Sequence, residues 1–160
     1  MDLKTGLLLF LALVLVLLNG FFVLAEFALV KVRTTRIEEL ARTGNRRAKL
    51  ARGMLDELDE FLSATQLGIT IASLALGWVG EPAFTHLMEA VIGRPAWMTS
   101  NASHVLSVIV SFCLITFLHI LIGEQAPKIL AIRRAEQATL AVAAPMMWCY
   151  RLFYLPMLAV

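Results

Sequence analysis

Charged residues are absent from long stretches of the chain and crowd into the segments between them. Residues 5–25 contain no Asp, Glu, Lys or Arg, and Glu26 is the first interruption. Residues 61–80 are free of charge for 20 positions, and residues 105–122 for another 18. About 20 apolar residues in a helix cross a hydrocarbon core of roughly 30 Å. The pattern therefore predicts three membrane-spanning helices, at about 5–30, 61–80 and 104–124. A secretory signal peptide competes for the first of these, because Lys4 precedes an apolar core. The run is too long for one, and no small-residue cleavage site ends it. A fourth apolar stretch, 137–160, is interrupted by Pro145, Arg151 and Pro156. It fits either a span or an amphipathic helix lying in the interface.

The first connecting segment, 31–60, has helical periodicity of its own. Ile37, Leu40 and Ala41 share one face, as do Ala48, Ala51 and Leu55. Thr43-Gly44-Asn45 breaks the pattern as a helix C-cap would, and Glu38 and Arg42 stand at i,i+4. Two amphipathic helices are predicted at about 32–58, either attached to the membrane surface or forming a solvated charged hairpin. Asp56, Glu57, Asp59 and Glu60 suit the N-terminal turn of the second span, or a cation-attracting mouth. Asn101-Ala-Ser103 fits the glycosylation pattern and reads as the polar start of span three.

Composition agrees with a membrane domain. Of the 160 residues, 59% are hydrophobic and 16% charged, against roughly 45–50% and 25% in soluble domains; mean hydropathy is +0.78. A soluble enzyme and a disordered tail are both excluded. The net charge of +2 gives no reason to expect a nucleic acid partner. Cys113 and Cys149 lie in apolar runs and read as small buried or lipid-facing residues. The basic residues are unevenly placed. Segment 31–60 holds eight of them, segment 81–104 only Arg94, and Lys128, Arg133 and Arg134 follow the third span. The positive-inside rule then puts 31–60 and 125–136 in the cytoplasm, and the N-terminus and 81–104 outside.

Polar groups inside a bilayer are costly, so those within the spans carry the information. Asn19 and Glu26 are seven residues apart, on nearly the same face of span one. In span two, Gln66, Thr70, Ser73 and Gly77 form one narrow stripe, expected to line a polar interior. Ala64, Gly68, Ala72 and Ala75 occupy roughly the opposite side, a small-residue face suited to close helix packing, within the subunit or across a dimer. The strongest local signal is Ile122-Gly-Glu-Gln-Ala-Pro-Lys128. Pro127 has no N–H and clashes with the carbonyl four residues back, that of Gly123. If the helix continues, that carbonyl lacks an intrahelical partner and sits beside the Glu124 carboxylate. Hard oxygen ligands suit Mg²⁺ or Ca²⁺, and carbonyls exposed at broken membrane helices are used for ion sites. The alternative is a plain kink, with Glu124 paired to Lys128.

At these residues the sequence resembles the transmembrane domain of the CorB/CorC magnesium transporters and their animal cyclin-M relatives. The matching elements are Asn19-Gly-Phe-Phe-Val-Leu-Ala-Glu26, Leu62-Ser-Ala-Thr-Gln66-Leu-Gly-Ile-Thr70-Ile-Ala-Ser73 and Gly123-Glu-Gln-Ala-Pro-Lys128. They occur in family order across all three spans. The resemblance implies an all-α homodimer with three spans per subunit and cytoplasmic-side juxtamembrane helices, of which 137–160 would be one. It implies Mg²⁺ export coupled to Na⁺ entry across a bacterial or archaeal plasma membrane. It also implies a cytoplasmic nucleotide-sensing CBS-pair module beyond Val160, absent from this chain. Carried onto this sequence, the ion site comprises the Asn19, Ser73 and Glu124 side chains and the Gly123 carbonyl, with a further carbonyl at Ala25. Animal relatives carry Ser and Asn where this chain has Asn19 and Ser73, an exchange that keeps neutral oxygens. Glu26, Gln66, Thr70 and Gly77 belong either to a Na⁺ path or to helix packing.

Two other classes stand beside a Mg²⁺ transporter. One is a membrane scaffold or Mg²⁺-sensing regulator that moves no ion. The other is an intramembrane enzyme using His119 and Glu124. The chain contains no His-Glu-x-x-His and no P-loop, and His119 is expected to hydrogen-bond another helix.

Overall fold

The computed structural model describes residues 3–92 and 100–157. Among these, every regular element is helical: α1 (Leu3–Lys31), α2 (Thr34–Arg42), α3 (Arg46–Asp56), α4 (Leu58–Ile92), α5 (Ser100–Leu118), α6 (Ala126–Arg133) and α7 (Ala135–Met157). A π-helical turn, His119–Gln125, joins α5 to α6, so that 101–133 form one continuous rod. Among the described residues, three helices are long and apolar enough to cross a membrane: α1, α4 and this composite third one. The protein is a multi-pass, all-α membrane domain.

Helix α4 runs 35 residues, well past the position near 80 where its apolar stretch ends. Pro82 lies inside it, but Ala83, Leu87, Met88 and Ala90 are good helix formers and the helix does not stop. At its far end, Glu89 accepts from His104 Nδ1 of α5 at 2.7 Å and lies 3.9 Å from His86 Nδ1. Within the predicted outer segment 81–104, the described residues 81–92 and 100–104 are helical.

Lipid tails are as apolar as leucine, so helices in a bilayer associate by close fit rather than by burial from water. The small-residue face of α4 supplies that fit within the subunit. Ala64 and Ala72 are fully buried, and a Cβ on Gly68 would stand 2.6 Å from the Phe22 ring of α1. The opposite face differs from expectation. Gln66, Thr70 and Gly77 are exposed on the subunit surface, and the Thr70 hydroxyl donates back to the Gln66 carbonyl at 2.9 Å. Only Ser73, at the stripe's edge, turns inward.

The basic end of the bundle is closed by α2, α3 and α7. Ile37 and Ala41 of α2, Ala48, Ala51 and Met54 of α3, and Val142, Ala143 and Met146 of α7 are all buried. With Phe22, Ala25, Leu29, Phe61 and Ala64 most of them form one apolar cluster. The amphipathic faces therefore dock on protein, where Leu55 packs half-buried against the cluster beside the fully buried Met54. Gly44 (φ 92°) makes the turn between α2 and α3, and the Asn45 side chain caps α3 by accepting from the Arg47 and Ala48 N–H groups. Helix α7 is tied down by Thr139, whose hydroxyl donates to the Ala28 carbonyl at 3.2 Å. Tyr150 stacks on Phe61 at 4.4 Å and its hydroxyl donates to Glu60. Asp59 and Glu60 occupy the first turn of α4.

Gly68→Ala places a methyl against the Phe22 ring, which is itself buried. The expected loss is about 1–3 kcal/mol of stability. At Gly77 an added Cβ meets nothing within 4 Å, so Gly77→Ala should be neutral or slightly stabilising. Thermal melts of the two variants in detergent check this ordering.

Candidate metal centre

Three of the residues expected at an ion site meet at one point. The Asn19 side chain is buried, 2% exposed, on the inner face of α1. Its Nδ2–H donates to the Gly123 carbonyl at 3.0 Å, and its Oδ1 accepts from the Ser73 hydroxyl at 3.1 Å. A carbonyl can only accept, which fixes the amide with nitrogen toward Gly123 and oxygen toward Ser73. One side chain thus bridges all three spans.

The backbone permits this because two glycines face each other. A Cβ on Gly20 would lie 3.3 Å from the Ile122 carbonyl and 3.7 Å from Gly123 Cα. A Cβ on Gly123 would lie 3.4 Å from both Asn19 Nδ2 and the Val16 carbonyl. The chain passes through Pro127 without a break, as a wide turn: the Ala126 N–H reaches back five residues to the Leu121 carbonyl. Opening the turn from i→i−4 to i→i−5 relieves the collision between the proline ring and the Gly123 carbonyl.

Glu124 follows directly, but its side chain is exposed on the subunit surface. Lys128 lies 4.6 Å over the Phe27 ring, a cation–π contact in place of the Glu124 pairing of a plain kink. Ala25 is buried in the apolar cluster, six residues or about 9 Å along α1 from Asn19. Glu26 is half-buried at the same level. The structure therefore gathers Asn19, Ser73 and the Gly123 carbonyl, and leaves Glu124, Ala25, Glu26, Gln66 and Thr70 outside their cluster. Among the described residues no three His, Cys, Asp or Glu side chains converge.

His119 corrects an expectation. Its Nε2 is buried with no hydrogen-bond partner among the described residues, rather than bonded to another helix. Its ring edge crowds Gly123, 2.9 Å from a built Cβ. The ring also lines a cavity of about 300 Å³ between α4 and α5, shared with Ser73, Gly77, Glu81 and Thr116. Gly20, which beside Asn19 reads in the sequence as a weak point of the helix or a place of close approach, is the place of close approach; the cavity has no counterpart in the sequence pattern.

Residues 10–160 match a family model described as the cyclin M transmembrane N-terminal domain. The chain belongs to the cyclin M transmembrane domain family. The UPF0053 protein YhdT of Bacillus subtilis (strain 168) is 51% identical over 142 residues, covering 89% of this chain and 30% of that protein. Two further proteins of the same organism are similar: YrkA, 43% identical over 140 residues (88% of this chain, 32% of that protein), and YugS, 41% over 141 residues (88% and 33%). The chain spans about a third of the length of the curated relatives it matches.

In this cyclin M domain Asn19 holds two partners, the Gly123 carbonyl and the half-buried Ser73 hydroxyl. Asn19→Ala leaves the Ser73 hydroxyl and the Gly123 carbonyl unpaired, at an expected cost of about 1–3 kcal/mol. Ser73→Ala removes one bond only and should cost less. Melting curves recorded without divalent cations should rank Asn19→Ala below Ser73→Ala, and Ser73→Ala below Gln66→Ala.

Proposed function

We propose that this domain carries Mg²⁺ across the plasma membrane as the transmembrane part of a Mg²⁺ exporter coupled to Na⁺ entry, with the Asn19–Ser73–Gly123 cluster and Glu124 as its ion site. The reading rests on one observation above all. One buried Asn19 amide holds the Gly123 carbonyl on its nitrogen and the Ser73 hydroxyl on its oxygen, so that two neutral side-chain oxygens and a backbone carbonyl from three different spans lie around it inside a membrane domain. Hard oxygen donors of this kind match Mg²⁺, which prefers octahedral oxygen coordination and retains several waters. Membership of the cyclin M family supports the same reading. In this role the domain moves an ion and catalyses no covalent reaction. It works as a homodimer, with its basic segments cytoplasmic and its N-terminus outside, joined to a CBS-pair region in the full-length protein.

Within the cluster each group is satisfied by the next, the Gly123 carbonyl by Asn19 Nδ2 and the Ser73 hydroxyl by Asn19 Oδ1. An entering Mg²⁺ requires the Asn19 amide to release the Gly123 carbonyl. The carboxylate must then arrive, and the π turn gives it a route. A one-residue register shift of this turn, about 100° of rotation, brings Glu124 to where Gly123 now faces Asn19. π-Turns recur at functional sites of this sort.

Glu124→Gln should abolish Mg²⁺ binding while leaving the fold intact, because it removes charge at nearly constant shape. Ser73→Ala and Asn19→Ala should each weaken binding by about 1.5–3 kcal/mol, roughly 10–150-fold, and Gln66→Ala by much less. Calorimetric titration reads all four, and a wild-type affinity for Glu124→Gln would remove the carboxylate from the site.

Pro127→Ala restores a donor and allows the turn to close into regular α-helix, which is favourable in lipid. The variant should be at least as stable as wild type yet bind Mg²⁺ about tenfold more weakly or worse. Flux into liposomes by the wild-type domain separates transport from a scaffold or sensing role, in which Mg²⁺ binds and none crosses.

A further inference from the structure

A second polar site lies at the charged end of the bundle, away from the ion cluster. The corner between α1 and α2 and the corner between α6 and α7 enclose a cleft of about 770 Å³. Lys31, Arg33 and Arg36 line it from one side, Arg133 and Arg134 from the other. The acidic residues in its lining are Glu39 and Glu136, and Arg36 engages both, at 2.6 and 3.3 Å. Those carboxylates are thereby occupied. Lys31, Arg33, Arg133 and Arg134 remain exposed, an excess of positive charge on a concave surface.

We propose that this cleft binds the phosphate headgroup of an anionic phospholipid. Depth is the first argument. Lys31 is the last residue of α1 and Arg133 the last of α6, so two spans leave the hydrocarbon at the cleft and its floor lies at headgroup level. The second is the neighbouring surface. Val30, Ile129 and Ile132 are 62%, 49% and 47% exposed, an apolar margin along which acyl chains can lie. A ligand with an anionic head and apolar tails uses both surfaces, whereas free phosphate uses only the first. The third is backbone polarity. The first turns of α2 and α7 both line the cleft, and Arg33, at the N-cap position of α2, provides no side-chain cap. Their positive ends add to the cations. Basic pockets between membrane helices recognise headgroups in this manner, and guanidinium groups match phosphate oxygens in pairs. The proposal does not depend on Mg²⁺ transport.

Native mass spectrometry of the purified domain in detergent tests it, with dioleoyl phosphatidylglycerol, dioleoyl phosphatidylcholine and inorganic phosphate as separate probes. The expected result is retention of the anionic lipid with at least about tenfold preference over phosphatidylcholine, a raised melting temperature with that lipid, and no effect of millimolar phosphate. Lys31→Gln/Arg33→Gln and Arg133→Gln/Arg134→Gln should each weaken retention about tenfold. Arg46→Gln/Arg47→Gln on α3 changes net charge equally and should leave it unaltered. Equal retention of phosphatidylcholine overturns the proposal. Competition by inorganic phosphate makes this a free-phosphate site instead. An equal loss in the α3 variant reduces the effect to diffuse charge. The wild-type probes decide between these outcomes even where a cleft variant does not fold.

Discussion

A backbone carbonyl that proline deprives of its α-helical donor is the constraint from which this bundle is built. In water such a group would be solvated; inside a bilayer it must find a partner in protein. Pro127 strips the ordinary donor from the Gly123 carbonyl, and Asn19 supplies another from a different helix. The requirement dictates the neighbours. Gly20 and Gly123 must lack side chains for the helices to come near enough. Asn19 must be an amide, because it donates to one partner and accepts from Ser73 on the other side. The same bonds therefore hold the three spans in register and collect oxygens in one place. Stability and ligand geometry are not separable at this point.

The cap at the basic end answers a different need. The three spans have little reason to stay together except shape, since lipid solvates their flanks well. Helices α2, α3 and α7 add a true water-excluding core, where Ile37, Met54, Phe61 and Met146 are almost wholly buried. That core lies where α1 and α4 emerge from the apolar zone, so burial from water regains its usual strength. Thr139 and Tyr150 add polar fastenings on α7.

Much of this was legible in the residues. Runs without charge located the spans, because charge is what a bilayer excludes most strongly. Pro127 and its four-residue offset from Gly123 disclosed the freed carbonyl, since proline chemistry is local. The faces of α2 and α3 were visible as a 3.6-residue rhythm. What the sequence does not encode locally was missed. Period alone cannot say whether an amphipathic face meets lipid, water or protein, and the apolar faces of α2 and α3 turned out to meet protein. Nor can it say which side of α4 turns inward. Gln66 and Thr70 share a stripe with Ser73, yet helix rotation leaves them on the surface, because the packing is set by Gly68 against Phe22. The widened turn at His119–Gln125 answers Pro127 locally, whereas the buried His119 Nε2, without a partner among the described residues, has no signature in any spacing rule.

The position of the amide bridge along its helix has an electrical consequence. Asn19 lies fifteen residues after Lys4 and twelve before Lys31, about 22 and 18 Å along the axis, which is close to the bilayer midplane. A charge moved to that depth from either side crosses roughly half of the transmembrane voltage. For a divalent cation this equals one elementary charge crossing the whole of it, about 2.3 kcal/mol for each 100 mV. In the proposed role the membrane potential would act on occupancy of the cluster as strongly as a good hydrogen bond does, without touching a single atom of the protein.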